Sequence, residues 1–273
     1  MSTNITPPGK KTGFKHPKCF ANSDENCSDK ISKEHFISRT LLNQIQLNRT
    51  AKIAGLKWQD EETFDVVGLN GLSAKVLCER HNSALAPLDT EIGKFAKTIK
   101  EFDGATHPNK GDNFDSLKIY SGVDVEKWIL KFLLGAVASG AFHSKKTKSE
   151  CLDILFGRKS WPKDWGLYFA TGEKIFHSES FLFEIKTHPD TKVVLAVHFY
   201  CRGLPLRLVL GKPGNAKAIG EWRPNKIFFE GKTCRKELRL DWEHLPHGGP
   251  VFLGGQGTYD GPPPNWQEWE KKG

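Results

Sequence analysis

Ser73-Ala-Lys-Val-Leu-Cys78-Glu-Arg-His81-Asn82-Ser-Ala-Leu-Ala-Pro-Leu-Asp89 decides how this chain is read. It opens as a β-like run, Ser73–Leu77, and passes directly into apolar residues at helical steps. Leu85, Leu88, Ile92, Phe95, Ala96 and Ile99 recur every three or four positions, which predicts a helix from about His81 to Phe102. At the junction, Cys78 and His81 are separated by two residues. A tight turn into a helix brings two such side chains to one point, and thiolate and imidazole are the usual ligands of zinc. A closed tetrahedral site needs four ligands. Cys19 and Cys27, with seven residues between them, are the candidates for the other half, Asn, Ser and Asp between them allowing a long loop. The bland alternative is three idle or buried cysteines and a surface histidine.

Between the halves lies Ser32-Lys33-Glu34-His35-Phe36-Ile37-Ser38. A carboxylate beside an imidazole can divide two tasks: the first binds a hard divalent cation and the second takes a proton from water. Alone, this dipeptide is a weak signal and reads first as the surface end of a strand. Asn82 offers an amide oxygen for a cation's shell, or a helix N-cap. Asp89 offers a further carboxylate, or a solubilising helix residue.

The order Cys…Cys…Glu-His…Cys-x-x-His-Asn…Leu-Asp resembles the HNH endonucleases, the ββα-metal group, over about residues 16–102. The resemblance implies a zinc knuckle of Cys19, Cys27, Cys78 and His81 holding a β-hairpin against a helix. It implies His35 as general base, with Glu34 and Asn82 as ligands of a catalytic cation, Mg2+ or another divalent ion. Two departures stand out. The fourth knuckle position is His rather than Cys, which zinc accepts, although His81 assigned to the catalytic cation remains a competing arrangement. The interval from His35 to Asn82 is long for the family, so a helix expected over Arg39–Gly55 becomes an insertion.

The 273 residues carry a net charge of +8, and residues 1–57 hold ten Lys/Arg against four Asp/Glu. This suits a polyanionic partner. Arg39, Arg49, Lys52 and Lys57 are the candidate phosphate contacts, and Trp58 a candidate stacking residue or a core one. Eight Trp and eighteen Phe exclude a wholly disordered chain. The longest apolar run, Trp128–Phe142, contains Lys131, so a buried helix is expected there rather than a membrane span. No secretory signal is read at the N-terminus, a disulfide framework is not expected, and the expected location is cytoplasmic.

The expected fold class is α+β: an N-terminal ββα-metal finger with structural zinc, a helical segment, and a mainly antiparallel β C-terminal domain. Residues 1–15 read as a flexible basic arm, 16–102 as the zinc-stabilised unit, 103–116 as a linker, and 117–273 as an α+β domain for target recognition or partner binding. Helices are expected near 124–142, with Asp124 as N-cap, and near 149–156. Phe181–Thr187 and Lys192–Tyr200 flank a hairpin turn at His188-Pro-Asp-Thr. Leu204–Leu210, Lys226–Phe229 and Glu237–Asp241 are further strands, and 245–264 a Gly/Pro-rich surface tail. His198, inside an apolar strand, reads as a core histidine. The expected activity is a metal-dependent DNA endonuclease, of the restriction or phage-defence kind, with DNA as partner and no membrane. The alternatives are a non-catalytic zinc-containing nucleic-acid-binding protein and an RNase.

Overall fold

A computed structural model describes residues 2–45, 50–54, 64–105, 116–142, 146–170, 181–201, 204–211, 219–230 and 235–253. The chain is mixed α+β. Strand β1 (Ile31–His35) pairs antiparallel with β4 (Ser73–Cys78), and β4 runs straight into helix α2 (Glu79–Ala105). Between β1 and β4 lie helix α1 (Arg39–Ile45) and an antiparallel pair, β2 (Thr50–Ala54) with β3 (Phe64–Gly68). The helix expected over Arg39–Gly55 therefore stops at Ile45. Thr50–Ala54 is strand because it has a partner: Thr50 aligns with Gly68 and Ala54 with Phe64. Long-range pairing overrides the local pattern here.

Strand β5 (Ser116–Ser121) leads into α3 (Gly122–Ser139), followed by the short α4 (Glu150–Leu155). The α3 cap is Ser121, whose Oγ accepts from the Asp124 N–H, rather than Asp124 itself. Asp124 instead accepts from Thr3, and Ile5 and Pro7 are buried. Residues 2–7, expected as part of a flexible arm, are thus laid against the body.

A five-stranded antiparallel sheet has the order β10 (Glu221–Trp222), β6 (Gly166–Phe169), β9 (Leu204–Val209), β8 (Val194–Cys201), β7 (Phe181–Thr187). A four-stranded sheet has the order β13 (Pro250–Leu253), β11 (Lys226–Glu230), β12 (Arg235–Asp241), β5. In it β11 and β12 are antiparallel, while β13 and β5 join in parallel. The expected surface tail thus begins as a strand at Pro250–Leu253. Residues 254–264, the linker residues 106–115 and Trp58 lie outside the described residues.

Helix α3 is the axis of the fold. Trp128, Ile129, Leu130, Phe132 and Leu133 are all fully buried, so its middle is covered on every side, as in a central helix. It touches α2, α4, β4, β9 and β12. Close approach is allowed at Gly122, where an added Cβ would come within 2.6 Å of the Trp242 ring. Phe36, just after β1, packs on Phe132 and Phe142 at 6.3 and 6.4 Å between ring centres. One apolar core therefore runs from Ile5 to Leu253 through both halves of the chain. Among the described residues, no helix is long and apolar enough to cross a membrane.

Candidate metal centre and adjoining polar cluster

Cys78 is the last residue of β4, and His81 lies in the first turn of α2, so the strand-to-helix junction places both. Cys19 and Cys27 bracket a 3-10 turn, Asn22–Asp24, which ends on Glu25 in the left-handed conformation (φ 52°). Backbone bonds fix this loop to the hairpin: Phe20 N–H donates to Val76 O at 2.9 Å, and Glu79 N–H to Lys30 O at 3.0 Å. The four side chains meet. His81 Nδ1 lies 3.2 Å from Cys78 Sγ, 3.5 Å from Cys19 Sγ and 3.7 Å from Cys27 Sγ. All four donor atoms fall within 4.8 Å of one another, all four residues are buried, and together they could hold a metal ion. His81 stands with the thiols.

The electrostatics of the four groups differ, with Cys78 and His81 shifted toward their ligating forms and Cys19 and Cys27 away from them. Burial pushes the Cys19 and Cys27 thiols up. For Cys78 the same burial is outweighed by backbone N–H groups of His81 and Ser28 that donate to its sulfur, and its thiol is lowered. Burial holds His81 below the ordinary histidine value, in the neutral form that can bind a cation, although Asp24 pulls the other way. Asp24 Oδ2 sits 3.5 Å from His81 Nε2, behind the ring, the place that carboxylates take in metal sites. Asp24 pairs in turn with Arg158, beyond α4, and Phe156 meets the His81 ring edge-on at 5.5 Å.

The other sequence candidates gather a short way along the same hairpin. A β-bulge separates the pairs Ser32–Leu77 and Glu34–Ala74, and Glu34 is buried beyond it. Asn82 is the fourth residue of α2, past the cap position; burial raises the Glu34 carboxyl, and Lys131 and then the Asn82 side chain act to lower it. Asp89, two turns on, accepts from Trp128 Nε1 at 3.0 Å. Its backbone oxygen accepts from Thr40 Oγ1 at 2.5 Å, fastening the start of α1. Between the two carboxylates lies Lys131 of α3. Its Nζ is 2.8 Å from Glu34 Oε1 and 2.6 Å from Asp89 Oδ2. Burial acts against the Lys131 charge, but the two carboxylates outweigh it and hold the ammonium charged. His35, the last residue of β1, is half-buried. Burial first, then Arg39 and Lys33, lower its pKa, while Asp89 pulls it up.

Glu34, His35, Asn82 and Asp89 are therefore neighbours. Of the candidate phosphate contacts, Arg39 is exposed at the start of α1, on the His35 side. Arg49 and Lys57 lie outside the described residues, and of Lys52 only the backbone, in β2, is described. Sequence reasoning passed over Lys131, Trp128, Asp24 and Arg158 as site residues. Lys131 left one signal: the single charge within the apolar run Trp128–Phe142 must be buried, and a buried ammonium requires carboxylates.

Comparison with protein-family models, with curated proteins and with solved structures finds no match to this chain.

Proposed function

We propose that the chain is a metal-dependent endonuclease of the HNH type. Its support is the joining of Asn82, at the start of α2, to Glu34, at the end of β1, beside His35 and next to the three cysteines and His81. Three thiolates and one imidazole are a zinc donor set, and every one is buried, as in a closed structural site. Cys19 and Cys27, before β1, and Cys78 and His81, at the β4–α2 junction, would hold the zinc, which would join these segments near Glu34 and Asn82. The Glu34 carboxylate and Asn82 amide are hard-oxygen donors of the kind Mg2+ and Mn2+ take. A divalent cation bound there supplies charge neutralisation for a phosphodiester's oxygens.

The chain's own residues do the rest. His35 takes the proton of the attacking water. Its neutral form is the competent one, and burial together with Arg39 and Lys33 keeps it neutral. Asp89, pulling the other way, stabilises the imidazolium once formed. Arg39 and the basic residues within 1–57 bind phosphates, so affinity should fall steeply as salt rises. DNA is the expected substrate; RNA is tested beside it.

The decisive experiment is cleavage of plasmid DNA and of RNA with Mg2+, Mn2+, Ni2+ or EDTA. Cutting is expected with Mg2+ or Mn2+ and none with EDTA. His35→Ala should lower it about 100-fold or more, with zinc content and melting temperature unchanged. Undiminished cutting by that variant overturns the assignment.

A second reading is a zinc-stabilised nucleic-acid-binding module that does not cut. One observation favours it: the carboxylates of Glu34 and Asp89 already have a cation, Lys131. Salt-dependent binding without cleavage under any metal would establish it.

A further inference from the structure

We propose that Lys131 is a built-in counter-ion of the candidate cation site, holding Glu34 and Asp89 in place when no divalent ion is present and competing with one for the same carboxylates. The proposal rests on the reading of Glu34 as a cation ligand, and it adds to that site Asp89, which Lys131 bridges to Glu34, and Lys131 itself, which sets how strongly the site binds.

Lys131 is 2% exposed, on a helix whose neighbouring residues are apolar and buried. An ammonium is tolerated there only if its charge is met. The groups that meet it come from two other elements, Glu34 from β1 and Asp89 from α2, at 2.8 and 2.6 Å. Trp128, one turn earlier on the same helix, takes the second oxygen of Asp89 at 3.0 Å. One face of α3 thus grips the carboxylates that flank His35 and Asn82. The charge arithmetic gives the sign. Two carboxylates and one ammonium leave a single negative charge, a weak lure for a divalent ion. Without the ammonium two negative charges remain, and a divalent ion neutralises both. Lys131 therefore keeps the carboxylates ordered while lowering their affinity for metal.

The test uses the full-length, zinc-loaded protein and Mn2+ as the probe. Lys131→Met keeps the length of the side chain and removes the charge. Without Mn2+ this variant should melt below the native protein. Its Mn2+ dissociation constant, read by electron paramagnetic resonance, should be at least about tenfold lower than that of the native protein. Added Mn2+ should raise its melting temperature more than that of the native protein, and Glu34→Gln combined with Lys131→Met should abolish the excess. Equal or weaker Mn2+ binding by Lys131→Met overturns the proposal, as does the absence of Mn2+ binding by both proteins. Should Lys131→Met fail to fold, the native protein decides. Its Lys131 Nζ resonance should move as Mg2+ binds, and a resonance unmoved at saturating Mg2+ overturns the competition. The outcomes separate the two readings. Native protein that cuts nucleic acid while Lys131→Met binds Mn2+ no more tightly sinks the Lys131 role alone. Tighter Mn2+ binding by the variant with no cleavage by either protein sinks the nuclease reading alone.

Discussion

Helix α3 carries two buried ion pairs five residues apart, and they are built differently. Glu126 is fully buried and meets Arg223 in a forked pair, with Nε at 3.0 Å and Nη2 at 3.1 Å. The Leu167 N–H donates to the same carboxylate at 2.7 Å. The guanidinium lies within 4.9 to 5.9 Å of the ring centres of Trp222, Trp242 and Trp161. Gly166 is needed beside it, since an added Cβ would meet the Glu126 carboxylate at 2.4 Å in a backbone with φ +128°. That pair is sealed. The Lys131 pair is open on one side: the Asp89 side chain is 21% exposed, and half-buried His35 and Asn82 stand next to it. A sealed pair fixes the packing of α3 against β6 and the segment before β11. An open pair, bordered by groups that can donate, accept and titrate, has the makings of a site.

The hairpin's clamp gives the largest test of this contrast. On the reading of the four ligands as a zinc site, a strong chelator, or Cys78→Ser, should cost the local structure on the order of 10 kcal/mol. The Lys131 side should depend on that clamp, because Glu34 and Asn82 sit on the elements it would join, and the Glu126 side should not. Hydrogen exchange after chelation should show β1, β4 and the first turns of α2 losing protection, with β6 and the Glu126 turn of α3 retaining it. Uniform loss along α3 would mean that the two ends are not independent.

Substitution at the pairs themselves comes next. Arg223→Met leaves Glu126 buried and unpaired, and should cost about 3–5 kcal/mol in urea unfolding. No added cation should restore it, since nothing can enter among the rings. Adding Glu126→Met should recover most of the loss. Lys131→Met should cost less, because Asp89 can be rehydrated, and Mn2+ should restore it. If Mn2+ rescued Arg223→Met equally, the distinction between sealed and open would be gone.

How much of this could be read in the residues depends on where each partner lies along the chain. The β4-to-α2 junction was legible because its signals are local: Cys78 and His81 are three apart, and Leu85 to Ile99 mark one helical face. The structure places the helix at Glu79–Ala105 and brings the four candidate ligands together. The hairpin around His188 was equally local, and β7 and β8 pair across it. Thr50–Ala54 was misread because Leu41, Leu42 and Ile45 begin a helical pattern, while what makes it a strand lies at Phe64–Gly68. The same holds for Asp124: Thr3, 121 residues earlier, occupies it, and Ser121 caps the helix. The partners of Lys131 are 97 and 42 residues away, and no periodicity connects them. Burial of a charge was readable from α3 alone; the identity of its partners was not.

The smallest effect concerns the sealed side of the sheet. His198 of β8 was expected as a core histidine, and it is buried with Nδ1 3.4 Å from Glu184 Oε2 on the neighbouring strand. Burial, then Arg207 and Lys186, hold its pKa well below the ordinary value of 6.5. In the unfolded chain it takes up a proton near that value, while in the folded chain it stays neutral. Its contribution to stability is therefore complete above pH 6.5 and is lost as pH falls from there toward the lowered folded value, at up to about 1.4 kcal/mol per pH unit. His198→Gln removes the titration. Between pH 7 and pH 5 the urea midpoint of the native protein should fall further than that of the variant. Parallel curves would mean that the His198 pKa is the same folded and unfolded, and a native midpoint falling less than that of the variant would mean that Glu184, not burial, governs it. The sheet would then hold an ion pair of the open kind, and α3 would not be where the two kinds are divided.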